Sequence, residues 1–243
     1  MAAPRLSRSE RLARWQLPVS SARFVDTARA EALSRLGIQT VGDLVMYAPF
    51  RYLDLSRTRP IGHMPVGRYV TVTGRVHRVV VKRPRPRLTI VEVAITDSTG
   101  ILLGVWFNQP FMANRFHEGE HVAFAGRIEQ AYGFLQITNP LFERLGNAER
   151  PAHLGRVLPV HRTTEGLTTN WMRRLVAAAL DDAADIPDFV PASLRARRGL
   201  MPLRAALRAV HLPADMIQAD EARRRLAYDE LLCLQVGLAV RRH

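Results

Sequence analysis

Hydrophobic and polar positions divide the sequence into three stretches with different periodicities. Residues 1–57 place apolar side chains at helical spacing, residues 58–145 alternate apolar and polar positions as strands do, and residues 146–243 return to helical spacing with breaks at proline. We therefore predict three domains with these bounds: an N-terminal helical segment, a β domain and a C-terminal helical segment. The predicted fold class is α+β, multidomain.

The central stretch predicts its strands in a definite order. Strands are expected at residues 68–81, 88–96, 101–107, 120–130 and 134–138, with Pro140 closing the last strand and a short helix at 108–116 after the third. Three strands, a helix and two more strands are the order of an OB-fold, a small and partly open barrel. We predict a five-stranded OB-fold β-barrel between the two helical segments.

Two loops of this barrel are candidates for nucleic-acid binding, because OB-folds bind oligonucleotides with the loops that follow their first and fourth strands. The first loop carries the cations Lys82, Arg83, Arg85 and Arg87, with two prolines expected to keep it extended and out of the sheet. The second loop contains Tyr132, and Phe134 follows it. A basic loop near an aromatic loop suits single strands, since cations contact the backbone and rings stack on bases. The alternative is a solvated hairpin tip that is merely basic.

A third candidate is the aromatic corner where the third strand ends. Phe107 is the last residue of that strand, and Phe111 lies one helical turn beyond it, so both rings can project from the same corner. Such rings can stack on an unpaired base or wedge between base pairs. In the alternative interpretation, Phe111 closes the bottom of the barrel as a core residue.

The helical stretches carry their own signals. Gly37 ends a helix and Thr40 can cap the next one, a unit that either presents backbone amides to phosphates or is simply a packed hairpin. Near the C-terminus a long helix has an apolar stripe at Leu226, Leu231, Leu234 and Leu238. That stripe either lacks its partner or packs back on residues 1–57.

The charge balance favours a polyanionic partner. The 243 residues include 35 Lys plus Arg against 22 Asp plus Glu, a net charge of +13, and Lys82 is the only lysine. An excess of this size indicates nucleic acid first and an anionic membrane second. The sequence has no apolar run of the ~20 residues that a membrane span needs, and we expect a cytoplasmic protein with no membrane partner.

The sequence gives little indication of a catalytic site or a metal site. The single cysteine, Cys233, lies among leucines, and the i, i+4 pair His117 and His121 is interrupted by a glycine, so no metal site is predicted. No Gly-x-x-x-x-Gly-Lys-Ser/Thr loop occurs, so nothing in the sequence is expected to hold nucleotide phosphates. We predict no catalytic residues in this chain.

Several phrases, in order and spacing, resemble the N-terminal half of RecG-type DNA helicases. They are residues 36–44 (LGIQTVGDL), 49–54 (PFRYLD), 97–100 (DSTG), 106–109 (WFNQ), 158–160 (LPV), 164–167 (TEGL), 211–213 (HLP) and 224–232 (RRLAYDELL). The sequence departs from the family pattern at His161–Arg162, where Tyr-Pro is usual, and at Asn139–Leu141, where an acidic residue often follows His-Pro. We expect local effects from these departures and an intact fold.

The resemblance implies a function for the barrel. In that family the OB-fold is the wedge domain, which sits at the branch point of DNA with aromatic residues at its tip stacking on the separating bases. The match assigns that role to Phe107 and, less directly, to Phe111. The family's motor, two RecA-like domains, would follow residue 243. We therefore expect either a fragment of a helicase or a separate protein reduced to the DNA-binding half. ATP and Mg²⁺ would belong to the motor, and no cofactor is expected here.

Three hypotheses follow. The first is a wedge module that binds forked or branched DNA in repair and recombination, without ATPase activity. The second is a stand-alone OB-fold protein that binds single-stranded nucleic acid with no preference for branches. The third is an adaptor whose arginines and apolar stripe bind a helicase motor or a single-strand-binding protein.

Overall fold

The computed structural model describes residues 8–146, 156–183 and 186–242. The chain forms two compact units: a helical unit, Met1–Tyr52 with Val157–His243, and a barrel unit, Leu53–Arg156. The structure thus groups the chain differently from the three predicted segments, because the helical stretches before and after the barrel belong to one unit.

Helices from both parts of the chain build the helical unit. They are α1 (Arg8–Gln16), α2 (Thr27–Arg35), α3 (Val41–Met46), α4 (Thr169–Ala183), α5 (Ala192–Arg198), α6 (Leu203–His211) and α7 (Met216–Arg242). One core contains buried residues of α2 and α3, such as Leu33 and Leu44, together with Leu175, Leu207 and Leu226 from the later helices. Burial of apolar area at ~25 cal/mol per Å² is the main stabilising term for such a core.

The predicted turn between α2 and α3 is confirmed. Gly37 adopts φ 79°, the left-handed conformation that suits glycine after a helix. Thr40 and Asp43 then form a reciprocal capping box, in which Asp43 N donates to Thr40 Oγ1 (3.1 Å) and Thr40 N donates to Asp43 Oδ2 (2.9 Å). The hairpin packs into the core of the helical unit.

A buried ion network fixes α7 in the helical unit. The Arg225 side chain is fully buried and donates to both carboxylate oxygens of Asp188 (2.7 and 3.0 Å), to Asp229 (2.9 Å) and to the carbonyl oxygen of Met201 (2.7 Å). Burial by itself would raise the pKa of Asp188, but the hydrogen bonds from Arg225 and from the Leu203 amide outweigh it and lower that pKa. Arg225 is therefore a structural cation, sequestered from any ligand.

Two buried histidines form a second polar pair in the helical unit. His211 Nε2 lies 2.7 Å from the carbonyl oxygen of Val45, so this nitrogen donates, and His211 Nδ1 accepts from His161 Nε2 at 3.1 Å. His161 Nδ1 is buried and lacks a hydrogen-bond partner among the described residues. Burial is the first cause that lowers the pKa of His161 to about 3 and that of His211 to about 4. Both rings are neutral at physiological pH.

The last helix carries the predicted stripe only in part. Leu226 packs in the helical core, whereas Leu231, Leu234 and Leu238 are exposed. Only the first of the four stripe residues is therefore packed, and the other three are exposed.

The barrel unit is a curved sheet with the OB order of strands. The strands are β2 (Tyr69–Arg85), β3 (Leu88–Thr96), β4 (Ile101–Phe107), β5 (His121–Arg127), β6 (Glu129–Ala131), β7 (Phe134–Thr138) and β8 (Leu141–Gly146), in the spatial order β6-β7-β4-β3-β2-β5-β8. All neighbouring pairs are antiparallel except β4 and β7, which are parallel. The predicted OB-fold is confirmed, with β5 and β6 together as its fourth strand. Outside this sheet, β1 (Arg51–Asp54) pairs with β9 (Val157–Val160).

The barrel core is filled by aliphatic and aromatic side chains around Trp106, which lies edge-on to Phe124. Glycine is required where the backbone approaches this core: a Cβ on Gly104 would lie 2.6 Å from the Phe124 ring. The helix after β4 is a short 3-10 helix, Pro110–Arg115, instead of the predicted longer one. Pro140 follows the end of the fifth strand as predicted, but the chain then enters β8, a strand that was not predicted; β8 begins one residue after the proline, so the proline need not donate to the ladder.

Candidate nucleic-acid interface

The basic residues lie on a hairpin whose first strand runs further than predicted. β2 continues through Arg85, so Lys82, Arg83 and Pro84 belong to the strand and the expectation of a loop outside the sheet is wrong. Pro84 is tolerated because it lies within the register shift between Lys82 and Arg85, where a ladder hydrogen bond is not needed. Arg87 turns the chain at the tip with φ 68°.

All four cations of the hairpin are exposed. Lys82 Nζ pairs with Glu92 at 2.7 Å across the strands. An exposed pair of this kind contributes little stability. No ion pair is recorded for Arg83, Arg85 or Arg87 with any residue that the structure describes. Three arginine forks are therefore presented together to solvent.

The aromatic corner is exposed and held by the backbone beneath it. Phe107 and Phe111 expose 41% and 55% of their surfaces, so Phe111 does not close the barrel bottom; Met112 and Phe116 on the same short segment are buried there. Asn108 adopts φ 55°, donates its amide to the Thr89 carbonyl oxygen (2.7 Å) and accepts the Thr89 amide with Oδ1 (3.1 Å). These two hydrogen bonds to β3 fix the direction in which the chain turns after β4.

The strand register brings the hairpin and the aromatic corner together. Ile90 of β3 pairs with Lys82 on one side and with Phe107 on the other. Neighbouring strands lie ~4.8 Å apart, so the backbone of Lys82 is ~10 Å from that of Phe107. Because Leu102 and Trp106 of β4 point into the core, Phe107 lies on the opposite, outer face of the sheet.

Tyr132 and Phe134 lie at the other end of β4. Leu135 pairs with Leu102, so Phe134 is beside Ile101, six residues before Phe107 and ~20 Å away along the strand. The expectation that the basic and aromatic loops are close to each other is wrong for this reason. Tyr132 is 99% exposed, at φ 51°, and Phe134 is exposed on the same outer face as Phe107.

The outer face of β4 therefore has an aromatic residue at each end. Ile101 is exposed and Leu103 half-buried between them. Arg78, which was not among the predicted site residues, is exposed on this face opposite Ala94. A register shift between Val76 and Arg78 reverses the inward and outward positions of β2, and plain alternation gives no signal of it.

The described residues give two further negative findings. Within residues 8–146, 156–183 and 186–242, no helix is both long and apolar enough to cross a membrane. In the same part of the chain, no three His, Cys, Asp or Glu side chains come together as a metal site.

Comparison with known proteins decides the family. The sequence profile of the RecG wedge domain matches residues 18–182, more than half of the chain. The chain belongs to the RecG wedge domain family. It is 31% identical over 234 residues to the ATP-dependent DNA helicase RecG of Synechocystis sp., covering 88% of this chain and 28% of that protein. It is 30% identical over 232 residues to RecG of Escherichia coli K12, covering 91% and 33% respectively.

A solved structure shares the fold. The structure of RecG bound to a three-way DNA junction superimposes with a TM-score of 0.59 at 24% identity, covering 98% of this chain and 32% of that one. The chain thus spans about a third of the length of these RecG proteins and corresponds to their N-terminal, wedge-containing part. The resemblance inferred from the sequence phrases is confirmed.

Proposed function

We propose that this wedge chain binds forked or branched DNA, such as replication forks and Holliday-type junctions, in DNA repair and recombination. The observation that carries the proposal is the exposed pair Phe107 and Phe111 beside the arginine hairpin, on one end of the barrel sheet. Stacking on bases requires exposed rings, and fixing a strand requires cations near them on the same end of the sheet. Both are present at this end.

The two groups would act on different parts of the DNA. Arg83, Arg85 and Arg87 hold phosphates, which gives affinity without sequence preference. Phe107 and Phe111 stack on bases that are unpaired at the branch, each contact worth ~1–3 kcal/mol. Since paired bases are already stacked on their neighbours, the rings gain this energy only where strands separate, and the chain prefers forks over intact duplex.

The names of the relatives support the proposal, as does the solved structure of a RecG bound to a three-way DNA junction. We assign no ATP hydrolysis to these residues, because the sequence has no phosphate-binding glycine loop; in this proposal ATP and Mg²⁺ would belong to a separate motor. A helicase motor or a single-strand-binding protein is the protein partner that we propose.

The test is fluorescence-anisotropy binding to a synthetic fork, a matched duplex and a single strand at one fixed salt concentration. The double variant F107A/F111A should bind the fork at least about thirtyfold more weakly and the duplex unchanged, because two stacking contacts of ~1–3 kcal/mol each are lost. The control F189A removes a ring of matching exposure from the helical unit and should change neither. Equal affinity of the unaltered chain for all three DNAs contradicts the junction preference.

A second candidate function, binding of single strands without branches, is favoured by Tyr132 and Phe134. Their rings share the outer face with Phe107, so a single strand could follow this face from one end to the other. In that case Y132A/F134A should weaken single-strand binding as much as F107A/F111A does. If only F107A/F111A weakens binding, and only binding to the fork, this candidate is rejected. The adaptor hypothesis would instead require weak binding to all three DNAs.

A further inference from the structure

Three arginines and two aromatic rings form a row on the helical unit, which we name the arginine–aromatic ladder. Its members are Arg23, Phe24, Arg174, Trp171 and Arg29. The guanidinium carbon of Arg23 lies 5.2 Å from the Phe24 ring centroid; that of Arg174 lies 4.9 Å from Phe24 and 4.5 Å from Trp171; that of Arg29 lies 3.8 Å from Trp171. Each arginine thus shares a ring with the next.

Local structure places these side chains on one surface. Trp171 and Arg174 are three residues apart on α4 and therefore lie on the same face of that helix, while Met172 and Leu175 point into the core. Phe24 precedes α2 in the left-handed conformation, φ 66°, with its ring 45% exposed. A non-glycine residue in this conformation is uncommon, and the ladder is what the exposed ring contacts.

The ladder is strongly cationic. Asp26 is paired with Arg29 at 2.5 Å, and its Oδ1 accepts the Arg29 amide as the cap of α2. Within the part of the chain that the structure describes, Arg23 and Arg174 have no carboxylate partner. Both side chains are exposed, so their charges are available to a ligand.

Ring contact prepares these arginines for phosphate. A guanidinium group that lies over a ring keeps the N–H groups at its edge available, and its planar fork matches two oxygens of a phosphate. Holding the group in place beforehand also lowers the side-chain entropy that binding would otherwise cost. Each strand of a duplex presents a charge about every 3.4 Å along the axis, so one strand can contact successive arginines of the row.

We propose that the arginine–aromatic ladder is a second DNA-binding surface, which contacts the phosphate backbone of a duplex arm. It goes beyond the proposed function of the barrel and does not depend on it, because no residue of the ladder belongs to the barrel unit. The net charge of +13 favours nucleic acid as the occupant over a protein surface.

The test measures binding to a blunt duplex, which has no branch for the barrel to recognise, over a range of salt concentrations. The variant R23Q/R174Q should bind the duplex about five- to tenfold more weakly, and the slope of log K against log salt should fall by about 1–2, one for each lost phosphate contact. The matched control R197Q/R241Q removes two exposed arginines of the same unit and should change affinity less than about twofold. Far-UV circular dichroism verifies that each variant is folded.

A third variant tests the contribution of the rings separately from that of the arginine charges. F24A keeps every cation but removes the ring between Arg23 and Arg174, and it should weaken duplex binding in the same direction by about two- to threefold, a smaller effect than losing the charges. Unchanged binding by R23Q/R174Q, or an equal loss in the control, overturns the proposal; the first result would point to an acidic protein as the occupant. Full binding by F24A overturns the role of the rings.

The same data distinguish the two proposals. Ladder variants should weaken fork and duplex equally and leave their affinity ratio unchanged, whereas F107A/F111A changes the ratio. If the ladder variants bind normally while F107A/F111A changes the ratio, the ladder proposal is wrong and the barrel proposal stands. If the ladder variants weaken binding while F107A/F111A leaves the ratio unchanged, the barrel proposal is the one that is wrong.

Discussion

Lowering the pH from 7 to 5 should destabilise the helical unit through the buried pair His161 and His211. Their folded pKa values, about 3 and about 4, lie below the ordinary 6.5, so both remain neutral in the folded chain at pH 5. In the unfolded chain these two histidines together take up about 1.5 protons over this interval. A depressed folded pKa means that stability is complete above pH 6.5 and is lost as the pH falls from 6.5 towards the folded values.

The magnitude follows from the unfolded state. Protonating an imidazole of pKa 6.5 stabilises the unfolded chain by about 2 kcal/mol more at pH 5 than at pH 7, so the pair accounts for about 4 kcal/mol. This is a large part of the 5–15 kcal/mol typical of a domain. Carboxylates contribute little here, because their unfolded pKa values lie near 4.

The assay is denaturant unfolding at pH 7 and pH 5 and constant ionic strength, followed by far-UV circular dichroism, which reports mainly on the helices. In H161Q, one titrating group is gone and the pH-dependent loss should fall by half, to about 2 kcal/mol, whatever the variant's stability at pH 7. The control H117Q replaces an exposed histidine and should keep the full loss. Unfolding free energies that are equal at the two pH values, or a full loss in H161Q, would refute the reasoning.

Three stability predictions accompany this one. D188N should lower the unfolding free energy by about 3–5 kcal/mol, because the buried Arg225 loses one of its two carboxylate partners; denaturant unfolding at pH 7 measures it, and a change below about 1 kcal/mol contradicts it. T40A should cost about 1 kcal/mol through loss of the capping box, seen as a lower melting temperature, with T40S as the control that keeps the cap. G126A should cost about 1–3 kcal/mol, because its Cβ would collide with Cγ2 of Ile137; amide hydrogen exchange should then rise in the barrel strands and not in the helices.

The sequence predicts the barrel well because its elements are local. Alternation in β3 and β4, and the turn at residues 97–100, depend on neighbouring residues, and the strand order alone distinguishes an OB-fold from other small sheets. Three features could not be predicted from the sequence, because they depend on pairing or packing with other segments of the chain. They are the register shift near His77, the strand β8, and the common core of residues before and after the barrel.

The candidate site was predictable in its residue types and less so in its arrangement. Exposed rings at Phe107 and Phe111 follow from the end of a strand and the start of a short helix. The separation of Tyr132 from the hairpin depends on the parallel pairing of β4 with β7, which periodicity does not indicate. His161, a departure from the family pattern, proved to be a buried residue paired with a histidine fifty positions away.

The barrel interrupts the helical unit, and this has a consequence for synthesis on the ribosome. Leu33 and Leu44 emerge before the barrel, but the helices that bury them are encoded after Val157. At a translation rate of ~5–20 residues per second, the roughly 100 intervening residues delay the core by some 5–20 s. The barrel is continuous in sequence and can fold within that delay. In the nascent chain the barrel is therefore folded before the core of the helical unit is complete. During this delay the apolar faces of the first helices are exposed and accessible to chaperones.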